Sequence, residues 1–79
     1  MSTQTEKTTA AAAPQGSHHW VMTLELPGRA MQTTFGTWTP PQGATRHDAF
    51  MAIKANVATQ QPEMERANVV FFALEPNQL

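Results

Sequence analysis

Seventy-nine residues with five Lys+Arg, six Asp+Glu and no cysteine allow one small domain and exclude a disulfide scaffold or a thiolate metal site. A formal net charge of −1 excludes the broad basic surface behind strong nonspecific DNA binding. Charged residues make up 14% of the chain, against roughly 25% in an average globular protein, and so weak a charge favours self-association.

Met1 to Ser17 consists of Thr, Gln, Ala, Ser, Pro and Gly with one Glu and one Lys. It offers little to bury against a backbone ordering cost of about 1–2 kcal/mol per residue, so residues 1–17 are expected to form a disordered arm. Lys7 is the only cation there and Ala10–Ala13 is too short for a signal-peptide core. No stretch approaches the ~20 apolar residues of a membrane span, so a cytoplasmic location is expected.

From His18 the pattern changes. Trp20, Met22, Leu24 and Leu26 alternate with His19, Val21, Thr23 and Glu25, which predicts a half-buried strand over about 19–26. Leu26-Pro27-Gly28-Arg29 reads as a turn, with proline presetting φ and glycine accepting positive φ. Met31 to Thr39, rich in Thr, Phe and Trp, predicts a second strand paired with the first as an antiparallel hairpin. Pro40-Pro41-Gln42-Gly43 ends it.

Thr45 is a good N-cap and Asp48 suits the first turn of a helix over about 46–60. Phe50, Ile53 and Val57 form one narrow apolar stripe, with Phe50 expected at its centre. Pro62 stops the helix. Glu63–Asn68 is a linker from which Met64 tucks back. Val69–Leu74 is a short apolar run with the β-branched and aromatic content of a strand. The expected architecture is α+β: a single ββαβ domain over 18–79, its three-stranded sheet carrying one helix on one face and its first strand in the middle.

One helix cannot cover both faces of a sheet. Alternation assigns Trp20, Met22, Leu24, Leu26, Met31, Phe35, Val70, Phe72 and Leu74 to the helix side. It leaves Val21, Val69, Phe71 and Ala73 on the other. Trp38, of opposite parity to Phe35, joins this second face unless a bulge at Gly36 re-phases the strand. Apolar clusters on a small domain mark contact surfaces, so Trp38, Phe71, Val69 and Val21 are the candidate partner-binding residues. The partner would be a protein or a second copy of the chain, in a possible homodimer.

The candidate chemistry is thin. His18 and His19 are adjacent on a strand and point to opposite faces; His47 lies in the first helical turn and lacks further ligands. The only serines, Ser2 and Ser17, sit in the arm, and no threonine has an evident base. Gly16, Gly28, Gly36 and Gly43 are isolated and form no phosphate loop. No enzyme activity, metal or cofactor is therefore expected. The alternative is an accessory nucleic-acid-binding protein, stacking bases on Trp38 and Phe71 with phosphate contacts from Arg29, Arg46, Lys54 and Arg66. Those four cations are scattered over loop, helix and linker.

The segment Gly36-Thr37-Trp38-Thr39-Pro40-Pro41-Gln42-Gly43-Ala44-Thr45-Arg46-His47-Asp48-Ala49-Phe50 and the ending Phe71-Phe72-Ala73-Leu74-Glu75-Pro76-Asn77 resemble short proteins of high-GC actinobacteria with no assigned activity. The resemblance covers most of the folded part. It implies a bacterial, cytoplasmic setting and carries no functional residues across.

Overall fold

The computed structural model describes residues 14–79. The arm expected over 1–17 lies outside them except for its last four residues. Strand β1 (His18–Leu26), strand β2 (Ala30–Trp38), helix α1 (Arg46–Gln60), a 3-10 turn (Pro62–Arg66) and strand β3 (Asn68–Pro76) follow in that order. β1 is the middle strand of the sheet β2-β1-β3 and pairs antiparallel with both neighbours. This is the expected small ββαβ domain. No helix among the described residues is long and apolar enough to cross a membrane.

The hairpin decides which side chains face where. Arg29 N–H donates to the Leu26 carbonyl at 2.9 Å, and Gly28 takes φ 73° at the position of the turn that demands it. The ladder, however, closes on Leu26↔Ala30, with Arg29 left in the loop. That one residue sets the parity of all of β2, because the side-chain period is two. Trp20 lies opposite Gly36, Met22 opposite Thr34, and Leu24 opposite Gln32. Met31 and Phe35 therefore stand on the face away from the helix, where alternation in the sequence had placed Trp38. Trp38 lies on the helix side and packs against the core.

Gly36 does not bulge, since the β1–β2 register runs unbroken from His18↔Trp38 to Leu26↔Ala30. Its role is to be empty. A Cβ there would stand 3.1 Å from Cζ2 of the Trp20 indole, so the glycine provides the slot that the ring occupies. The irregularity lies in β3 instead. Thr23 pairs with Phe71 but Leu24 with Val69, leaving Val70 as the extra residue of a bulge. The bulge turns Val69 toward the core and leaves Val70 half exposed, reversing the sides expected for both.

Helix α1 begins at a capping box. Thr45 Oγ1 accepts from Asp48 N–H at 3.1 Å, and Asp48 Oδ2 accepts from Thr45 N–H at 3.1 Å. The helix buries Ala49, Ile53 and Val57. Phe50, expected at the centre of the stripe, is half-buried at its rim, edge-on to Phe72 with centroids 5.2 Å apart. Ile53 and Val57 instead join Trp20, Met22, Leu24, Met64 and Ala67 in the core, with Met22 and Leu24 fully enclosed. Met64, on the 3-10 turn, does tuck back into this core.

The two ends of the described chain are tied together. Asn77 N–H donates to the Ser17 carbonyl at 2.9 Å, and Asn77 Nδ2 reaches Gln15 Oε1 and the Gly16 carbonyl. Gly16 and Ser17 N–H donate to the hydroxyls of Thr37 and Thr39. The sheet thus fastens the chain from residue 15 onward.

Candidate interaction surface

α1 and the 3-10 turn cover one face of the sheet. The other is built by the odd-numbered residues of β1 and β2 and by their partners on β3. The register arranges it in rows across three strands. Thr37, His19 and Glu75 form one end. Phe35, Val21 and Ala73 form the next row, then Thr33, Thr23 and Phe71, then Met31, Glu25 and Asn68. One apolar row and one of two threonines with a phenylalanine sit between ends that carry His19, Glu75, Glu25 and Asn68.

Phe35 is 71% exposed, Met31 64% and Phe71 54%. The two phenylalanines stand on the outer strands, roughly 10 Å apart across the sheet. Val21 and Thr23 lie between them as the floor of a shallow trough. Thr23 and Thr33 join hydroxyls across the strands at 2.8 Å, and their methyl groups add apolar area to that part of the face. An antiparallel sheet with one wet face ordinarily shows polar side chains there; this one shows two exposed phenylalanines and a methionine.

Of the four residues expected to bind a partner, the structure brings Phe71 and Val21 together on this face. Trp38 and Val69 lie on the opposite one, for the register and bulge reasons above. Phe35 and Met31 take their place. A signal for this was present in the sequence: Trp20 needs room for its ring, and a glycine across the hairpin provides it only if even positions face even positions.

The four cations stay apart. Arg29 is in the hairpin loop, Lys54 on α1 and Arg66 in the 3-10 turn. Arg46 is held at the edge of β3, its guanidinium 5.0 Å from the Phe72 ring centroid and its Nη2 3.4 Å from the Phe72 carbonyl. Among the described residues no Lys or Arg belongs to the open face, whose charged residues are Glu25 and Glu75. That arrangement repels a phosphate backbone rather than attracting one. Among the described residues no three His, Asp or Glu side chains gather into a possible metal site. His18 pairs with Ser17 Oγ at 2.9 Å, while His19 points to the other face and His47 lies at the start of α1.

No family model, curated protein or solved structure matches this chain. The reading of its function rests on the surface itself.

Proposed function

We propose that this chain is a small, non-enzymatic protein-interaction module of the bacterial cytoplasm, whose contact surface is the open face of the sheet. The observation that carries the reading is the exposed row pair Phe35–Val21–Ala73 and Thr33–Thr23–Phe71, bordered by polar residues at both ends. An apolar centre inside a polar rim is the anatomy of protein interfaces, and aromatic side chains are their usual anchors. The low charge of the chain favours the same role.

The test is the double substitution Phe35→Ser with Phe71→Ser. Both side chains are largely exposed, so circular dichroism should show an intact fold. Loss of an aromatic anchor typically costs about 2 kcal/mol or more, roughly thirtyfold in affinity. Affinity capture from a bacterial lysate should recover protein with the wild type that the variant fails to bind. The same proteins captured by both forms, or none by either, refutes the reading.

A further inference from the structure

The sheet has two free edges, and they are treated differently. Natural sheets protect edges with charge, proline, bulges or a covering group. β3 has each of these: the bulge at Val70, Glu75 and Pro76 at its end, and Arg46 donating to the Phe72 carbonyl. β2 has none. Its nine residues, AMQTTFGTW, contain no charge and no proline, and its register with β1 never slips.

The hydrogen-bond alternation shows what this edge offers. The Leu26 carbonyl accepts from Arg29, so the even residues of β1 direct their backbone groups toward β2. The Asn77-to-Ser17 bond and the Arg46-to-Phe72 bond fit the same alternation on the β3 side. In β2 the even residues therefore bond inward to β1. Met31, Thr33, Phe35 and Thr37 turn their N–H and C=O groups outward.

We propose that this edge pairs with the β2 edge of a second copy, antiparallel about a two-fold axis at Thr34, the midpoint of the strand. The product is a continuous six-stranded sheet with both helices on one side. Thr33 then lies opposite Phe35 of the second copy, and Met31 opposite Thr37, in hydrogen-bonded pairs; Thr34 meets its own copy in a non-hydrogen-bonded pair. A symmetric pairing of a charged strand sets like charges close together, and β2 has no charge to oppose. The two open faces merge into one apolar surface of twice the width. The inference rests on the interaction-module reading but uses a different surface, so the two can fail separately.

Sedimentation across a concentration series tests it. The wild type should dimerise, Thr34→Lys and Thr34→Glu should each be monomeric, and an equimolar mixture of the two should restore a dimer. Thr34→Cys gives an arm that does not depend on tolerance of a charge. Cα atoms in a non-hydrogen-bonded pair stand about 4.5 Å apart, within disulfide range, and the chain has no other cysteine. Mild oxidation should link this variant into covalent dimers and leave Val70→Cys, on β3, monomeric. Phe71→Ser, remote from β2, should retain the dimer. A monomeric wild type, a dimer that survives Thr34→Lys, or equal cross-linking of the two cysteine variants overturns the proposal. Loss of the dimer in Phe71→Ser together with its survival in Thr34→Lys would assign the contact to the open face instead.

Discussion

Phe35→Ala separates the two possible phases of β2. Phe35 is 71% exposed. A phenylalanine buries about 150–250 Å² when enclosed, so this one hides roughly 50–70 Å². At about 25 cal/mol per Å² that is about 1.5 kcal/mol, an upper bound because the unfolded chain already buries part of it. The truncation should therefore cost about 1 kcal/mol, a fall of about 4–8 °C in Tm for a domain of this size. With Leu26 paired to Arg29 instead, Phe35 would lie against Trp20 inside the core, and its loss would cost about 3–5 kcal/mol. The assay is thermal and urea denaturation at a concentration low enough to keep the chain monomeric, since association would add its own stability. A loss of 3 kcal/mol or more at that dilution would refute the register and, with it, the composition of the open face.

Two further substitutions probe the scaffold. Ile53→Ala removes a buried side chain at the centre of the α1 contact and should cost about 2–5 kcal/mol in urea denaturation, whereas Phe50→Ala, at the half-buried rim, should cost less than Ile53→Ala; the reverse order would move the helix axis. Thr45→Ala breaks one half of the capping box and should lower stability by about 1 kcal/mol, with no change in the association measured by sedimentation.

The elements were legible because their signals are local. Alternation from Trp20 to Leu26, the Thr45–Asp48 cap and the proline after Gln61 each act within a few residues, and the helix bounds agree with the expected 46–60. The facing of β2 and β3 was not legible in the same way. In β2 both parities mix apolar with polar: Met31, Thr33, Phe35 and Thr37 against Gln32, Thr34, Gly36 and Trp38. Hydropathy cannot choose between them, so the choice falls to loop geometry. A turn closed on Arg29 and a loop that reaches Ala30 differ by one residue and by every side chain thereafter. In β3 the run Val69–Leu74 is apolar on both parities, and such a run holds no period for a bulge to interrupt visibly.

The same ambiguity is what leaves the molecule with a surface to use. A strand that alternates cleanly has one face committed to the core and one to water. β2 and β3 carry large apolar side chains on both, because the core takes Trp20, Met22 and Leu24 from β1 and needs only part of what the outer strands supply. Trp38, Val69, Phe72 and Leu74 go to the helix side, and Phe35, Met31 and Phe71 are surplus to it. In a chain with 14% charged residues, this surplus apolar area has only Glu25 and Glu75 as charged neighbours on its face. It stands beside an edge whose N–H and C=O groups are free to pair. A face that gains by leaving water and an edge that gains by finding a strand act in the same direction. Pairing two β2 edges brings two such faces side by side, presenting Phe35 and Phe71 of both copies on one wider surface.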